Sequence, residues 1–124
     1  MTKELIKKYG IDFRNTIFNS DGFPAIVDKF PYTKLGYLTM MLSELSIRDI
    51  NDSLLPNIDE ALADSNSEIE NGSGIVEITI YHDVVKFYVD GDNEIYSMPT
   101  ADFKEIVIGW KDFLLTQPLN GTRV

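Results

Sequence analysis

The sequence contains no cysteine and only one histidine, His82, and these two shortages exclude several kinds of chemistry. Without cysteine the chain has no disulfide framework and no thiolate nucleophile. A single histidine without cysteine also cannot build the usual transition-metal clusters. We therefore expect a protein that carries no metal and no other cofactor.

Long apolar stretches are missing as well. No run approaches the roughly 20 apolar residues of a membrane-spanning helix. Residues 1–20 contain no apolar core of the length that a secretory signal peptide has. We therefore expect a cytoplasmic protein that does not bind a membrane.

Basic residues are absent between Arg48 and Lys86, and this gap locates the charge of the chain. Twenty acidic residues exceed the eleven basic residues by nine, and nine acids lie inside the gap. The formal net charge of −9 thus belongs to one segment, whose acids are Asp49, Asp52, Asp59, Glu60, Asp64, Glu68, Glu70, Glu77 and Asp83. Because phosphates are bound through basic side chains, this segment argues against direct binding of nucleic acid. It suits a basic protein partner, which an acidic patch attracts and steers. The alternative is a solvated face that keeps the protein soluble.

Size and composition indicate one folded domain over residues 1–124, with 44% hydrophobic and 11% aromatic residues. Its clearest element is a C-terminal helix, for which Thr100 is the expected N-terminal cap and Pro118 the stop. One apolar stripe with a period of 3.6 residues runs along this helix. It consists of Phe103, Ile106, Val107, Trp110, Phe113 and Leu114.

Three further helices are predicted in the first half of the chain. The first runs from Thr2 to Tyr9, with Thr2 as its cap and Gly10 after its end. A stripe of leucine and methionine predicts the second, from Thr33 to Leu45. The third runs from Ser53 to Asp64 and holds a proline in its first turn, where proline is tolerated. Residues 11–30 have no clear period, and we expect a loop there with one short helix near residue 25.

Alternating apolar and polar residues predict three strands, over residues 76–81, 85–89 and 95–98. His82-Asp83 is the expected turn between the first two strands, and residues 90–94 are the expected hairpin connection before the third. The polar residues 65–74 are expected to form a loop between the helices and the sheet. A sheet this small needs a covering layer, so the expected fold class is α+β. N-terminal helices precede an antiparallel sheet of three or more strands, and the C-terminal helix packs on that sheet.

Few residues carry a pattern typical of catalysis. Asp83 follows His82 directly, and adjacent residues of a strand point to opposite faces, so we expect a structural or exposed histidine. Asp90, Asp92 and Glu94 alternate as calcium ligands can, but the glycine stands in the wrong place for a calcium loop and the pattern favours a turn. Three tyrosines are expected to align across the polar face of the sheet, where they are typical of an interface or of cross-strand packing. They are Tyr81, Tyr88 and Tyr96.

The C-terminal segment also carries a family resemblance. Glu94-Ile95-Tyr96-x-Met98-Pro99-Thr100-x-Asp102-Phe103, followed by Ile106, Trp110, Phe113 and Leu114, resembles the C-terminal signature of small bacterial immunity proteins. These proteins accompany polymorphic toxins and contact-dependent growth inhibition systems. The resemblance implies a non-catalytic protein that binds a cognate toxin domain, commonly a nuclease, and blocks it. It brings no contact residues with it, because the family is too diverse.

The contact residues therefore follow from the charge of the chain alone. We expect a basic toxin surface to meet seven acids: Asp59, Glu60, Asp64, Glu68 and Glu70, with Glu77 and Asp83 further out. Two alternatives stay open. An adaptor subunit of a larger assembly would expose an apolar patch, for which Met40-Met41 is the candidate. A small acid–base enzyme would place a carboxylate or His82 in a concave pocket.

Overall fold

A four-stranded antiparallel sheet, with helices packed on one of its faces, forms the centre of the fold. The computed structural model describes residues 1–18, 21–22, 26–89 and 93–116. The helices are α1 (Lys3–Tyr9), α2 (Gly36–Glu44), α3 (Ile47–Asp49), α4 (Leu55–Ala63) and α5 (Thr100–Leu114). The strands are β1 (Asp12–Phe18), β2 (Ile26–Tyr32), β3 (Glu68–Gly72), β4 (Val76–Tyr81), β5 (Val84–Val89) and β6 (Glu94–Pro99). The expected class, an antiparallel sheet with the C-terminal helix packed on it, is thus confirmed.

The main sheet has the strand order β3-β4-β5-β6, so each strand pairs with its neighbour in the chain. Its inner face carries Val76, Ile78 and Ile80 of β4 together with Val85 and Phe87 of β5, all buried. The stripe of α5 covers them, because Phe103, Ile106, Val107 and Trp110 are buried in the same cluster. Ile58 and Ala61 of α4 complete this core from the same side of the sheet.

The prediction for residues 11–30 is wrong. These residues contain β1 and most of β2, which form a separate two-stranded antiparallel ribbon. Phe13 of β1 packs edge-on against Trp110 with ring centroids 5.0 Å apart, so the ribbon is attached to α5. Pro31 is compatible with β2 because a strand in a two-stranded ribbon keeps one edge without a ladder. The helix expected near residue 25 falls outside the described residues.

The prediction of a loop over residues 65–74 is also wrong in part. A turn at Ser65 and Asn66 leads into β3, which pairs antiparallel with β4. The alternation of Glu68, Ile69 and Glu70 is the period of a half-buried strand, with only Ile69 packed against the core. β3 is therefore a polar edge strand, and this placement decides where the acids of the chain lie.

The third predicted helix begins earlier than expected. Ser46, and not Ser53, is the cap, and it forms a capping box in which Ser46 and Asp49 bond each other's backbone N–H groups. The helical backbone then continues through a π-helical segment at Ile50–Leu54 into α4. Proline in a regular helix interior clashes with the carbonyl four residues earlier. The wider π turn directly before Pro56 accommodates that residue inside a continuous helical run.

Helix α5 is anchored differently from the prediction. Thr100 does not cap the helix: its hydroxyl donates to the carbonyl of Tyr81 at 2.7 Å, and its backbone N–H donates to the carbonyl of Asp83 at 3.0 Å. At the other end of the chain, Thr2 caps α1 and Gly10 ends it in the left-handed conformation, both as predicted. Pro118 lies outside the described residues. Within those residues, no helix combines the length and the apolar character that crossing a membrane requires.

Candidate functional site

The face of the main sheet that points away from the helices carries the polar half of each strand. On β4 the buried residues alternate with Glu77, Thr79 and Tyr81, which therefore share the opposite face. On β3 the same alternation brings Glu68 and Glu70 to that face, and both are exposed. We call this surface the open face and define it by Glu68, Glu70, Glu77, Thr79, Tyr81, Lys86 and Tyr88.

Strand register fixes the neighbours on the open face. Where β3 pairs with β4, Glu68 stands opposite Tyr81. Where β4 pairs with β5, Glu77 stands opposite Tyr88. These directly opposed side chains lie about 4.5–5.5 Å apart at Cβ, close enough to act together on a bound group. The pairing of β5 with β6 shifts by one residue beside Tyr88, a bulge of the kind that redirects side chains at functional sites.

The open face is concave over β3 and β4. An open groove of about 620 Å³ lies there, lined by both tyrosines, the three glutamates, Asn71, Gly72, Ser73, Ile78 and Thr79. Gly72 lies opposite Glu77 with φ 152°, and a Cβ at this position would be only 2.5 Å from the carbonyl oxygen of Val76. The position beside Glu77 is therefore restricted to glycine, which leaves that part of the groove without a side chain.

The negative charge of the groove is uncompensated by the fold. None of the ion pairs among the described residues involves Glu68, Glu70 or Glu77. Lys86 is the basic side chain of the open face, and its Nζ lies 3.4 Å from a carboxylate oxygen of Glu94. That contact raises the pKa of Lys86. The three glutamates thus stay available to a group from outside the chain.

Tyr81 is held as a neutral hydrogen-bond donor. Its hydroxyl lies 3.4 Å from a carboxylate oxygen of Glu68. Loss of hydration and then the negative charge of Glu68 raise the pKa of Tyr81 above its ordinary value of 10.0. The groove therefore presents carboxylates beside phenol hydroxyls, a combination suited to binding donors and cations.

The seven acids predicted from the sequence do not form one surface. The structure brings together Glu68, Glu70 and Glu77. Asp59 and Glu60 lie on the exposed side of α4, in the helical layer that covers the other face of the sheet, and Asp64 ends that helix. Asp83 lies in the turn between β4 and β5. As contact residues all seven stay predictions.

Two of the acids outside the open face already have partners in the fold. Asp59 pairs with Lys104 of α5 at 2.7 Å. The carboxylate of Asp64 accepts the backbone N–H of Asn66 at 3.0 Å and so shapes the turn into β3. The sequence showed no basic residue near them because Lys104 comes from a distant part of the chain.

The third tyrosine expected on the polar face lies on the other side. Tyr96 is paired in register with Phe87 of the inner face, and its ring lies 5.5 Å from that of Tyr37. The prediction of three aligned tyrosines is therefore wrong for Tyr96. The residue that sequence reasoning missed is Gly72, since its place beside Glu77 depends on the unrecognised strand β3.

His82 has a structural contact. Its Nδ1 lies 3.0 Å from the carbonyl oxygen of Ala61 in the last turn of α4. Because a carbonyl only accepts, Nδ1 carries the hydrogen and the ring fastens the β4–β5 turn to the helix. The described residues contain no group of three His, Cys, Asp or Glu arranged to hold a metal ion. The methionine pair is not a continuous apolar surface either, since Met41 is fully buried and Met40 is 40% exposed.

Comparison of the chain with protein-family models, with curated proteins and with solved structures finds no match. The function is therefore inferred from the open face and from the residues of the chain itself.

Proposed function

We propose that this protein is an immunity protein that binds a cognate toxin domain of the nuclease class and neutralises it without catalysis. The observation that carries the proposal is the open face, where one groove is lined by two tyrosines and by three glutamates that have no ion pair among the described residues. The resemblance of residues 94–114 to the C-terminal signature of small bacterial immunity proteins supports the same function.

The chemistry of the groove matches the chemistry of such a target. A nuclease holds the phosphates of its substrate with lysine and arginine, so its cleft is basic. Carboxylates that occupy this cleft replace the phosphates and exclude the substrate. The same charge accelerates association, because opposite potentials steer the two proteins together.

Besides its charge, the open face has tyrosines, which are typical of a protein–protein interface. Tyrosine buries a large rigid surface and keeps a hydroxyl for hydrogen bonding, and it is enriched among the residues that dominate binding energy. Tyr81 and Tyr88 are both partly exposed between the glutamates. The groove is then the centre of an interface that extends over its rim to about 800 Å² on each partner.

Two variants with the same net charge test the proposal. E68Q/E70Q/E77Q removes three charges from the open face, and D59N/E60Q/D64N removes three from the helical layer and its end. The partner is the C-terminal domain of the large exported protein encoded beside the gene. Association is measured by stopped flow or biolayer interferometry at low and high salt.

We expect the open-face variant to associate at least about tenfold more slowly at low salt and to lose most of the salt dependence. The helical-layer variant should stay within about threefold of the wild type, a difference below 1 kcal/mol. If the helical-layer variant had the larger effect, the open face would not be the contact surface. If a folded toxin domain did not bind the wild-type protein at all, the proposed function would be refuted.

A further inference from the structure

The ribbon contains one complete arrangement of an acid, a tyrosine and an arginine. Asp12 of β1 stands directly opposite Tyr32 of β2. Arg14, two residues along β1, donates from both Nε and Nη2 to the carboxylate of Asp12, with Nε at 2.7 Å. Its guanidinium carbon also lies 5.0 Å from the centre of the Tyr32 ring. In the ribbon, an opposed acid–tyrosine pair therefore holds a guanidinium through a carboxylate and a ring together.

The open face repeats this arrangement twice but without the arginine. Glu77 is opposite Tyr88, and Glu68 is opposite Tyr81. The positions that correspond to Arg14, two residues further along the strand, are Thr79 after Glu77 and Glu70 after Glu68. The chain supplies the carboxylate and the ring, and neither corresponding position supplies a cation.

The two pairs differ in whether a cation lies over the ring. The Nζ of Lys86 lies 5.4 Å from the centre of the Tyr81 ring, so the pair with Glu68 is partly occupied from within. Among the described residues, Tyr88 has no such cation over its ring. Beside Glu77 the position on β3 is Gly72, which leaves space for an incoming group.

We propose that Glu77 and Tyr88 form a subsite for an arginine side chain of the protein partner. This inference rests on the proposed function and deepens it, because it names the side chain that the face recognises. A guanidinium is planar, presents five donors and stacks on aromatic rings, and it is more weakly hydrated than an ammonium group. It can bond the Glu77 carboxylate with two parallel N–H groups while its plane lies over Tyr88, whereas lysine offers a single compact charge.

Two capped peptides of equal charge test the subsite without the toxin. One has three glycine–arginine repeats and the other three glycine–lysine repeats, and each is titrated into the ¹⁵N-labelled protein at low salt. We expect the arginine peptide to bind about three- to fivefold more tightly than the lysine peptide. The largest shifts should fall on the amide signals of Gly72, Glu77 and Tyr88.

Three variants separate the subsite from general attraction by charge. Tyr88→Leu and Glu77→Gln should reduce the preference for arginine to less than about twofold, while Tyr88→Phe, which keeps the ring, should retain it. Equal affinity for the two peptides, or shifts concentrated elsewhere, would overturn the arginine subsite. Such a result would leave the toxin titration unaffected, and failure of that titration would instead refute the proposed function.

Discussion

Removal of one hydroxyl group, at Thr100, tests how α5 is fastened to the sheet. The side chain is fully buried and donates to the carbonyl of Tyr81 at 2.7 Å. Thr100→Val keeps the branched shape of the side chain and removes the donor. The carbonyl of Tyr81 then loses this partner at a site that the introduced valine side chain would keep closed to water.

The expected effect follows from the cost of an unpaired buried group. Leaving a buried acceptor without its donor lowers the free energy of unfolding by about 1 to 3 kcal/mol. For 124 residues the unfolding entropy is about 0.26 kcal/mol per kelvin, so the Tm should fall by about 4 to 12 °C. The substitution changes a buried hydrogen bond and not the surface that unfolding exposes, so the urea m-value should stay the same.

Urea unfolding followed by the fluorescence of the single tryptophan, Trp110, measures this loss, because that side chain is buried in the core. Thr79→Val is the matched control. It is the same chemical change at a residue of β4 whose hydroxyl makes no hydrogen bond among the described residues, and the free energy of unfolding should stay within about 0.5 kcal/mol of the wild type. The reasoning would be refuted if Thr100→Val were no more destabilising than Thr79→Val.

Two further predictions concern a pH dependence and a pair of glycines. Tyr9 donates to Asp102 at 2.7 Å, and burial followed by this contact raises the pKa of Tyr9 above its ordinary 10.0. The native state then keeps the proton to higher pH than the unfolded state does, so this stabilisation is full below pH 10 and is lost as the pH rises above it. The urea midpoint should fall from neutral to alkaline pH, and Tyr9→Phe should make this fall smaller. A fall of the same size in Tyr9→Phe would contradict the assignment. Gly36→Ala should stabilise α2 by about 0.4 to 1 kcal/mol, since no atom beyond the adjoining backbone of its own helix lies within 4 Å of the added Cβ. Gly10→Ala should lose about 1 to 2 kcal/mol in the same assay, because its φ is 59° and the Cβ would lie 3.1 Å from that of Lys34.

Elements with a clean period and a local end signal were predictable from the sequence. The stripe of α5, the cap and stop of α1 and the alternation of β4 each depend on residues close together in the chain. The start of the third helix was not predictable in the same way, because Pro56 indicates a boundary by itself. Only the π-helical segment before it shows that the helix continues backwards to Ser46.

The strands that were missed depend on partners distant in the sequence. β3 contains two glutamates, an asparagine and a glycine, and only its pairing with β4 and the contact of Ile69 with the core make it a strand. β1 and β2 likewise stabilise each other through their antiparallel pairing. The acidic segment was visible in the sequence, but its division between two faces was not. That division requires β3 to lie beside β4 and Lys104 to reach Asp59.

The placement of the charge has a consequence for stability, which the two triple variants also measure. On the open face, Glu70 lies diagonal to Glu77 and two residues from Glu68, so like charges repel across and along the strands. Neutralising them should raise the free energy of unfolding by up to about 1 kcal/mol at low salt, and by less at high salt. D59N/E60Q/D64N removes the ion pair between Asp59 and Lys104, and Asp64→Asn replaces the carboxylate acceptor at the turn with a weaker amide oxygen, so this variant should lose up to about 1 kcal/mol instead. Like charges that destabilise the fold are expected on a surface where binding requires those charges. If the open-face variant were less stable than the wild type, its carboxylates would be serving the fold, and the argument that they are directed at a partner would fail.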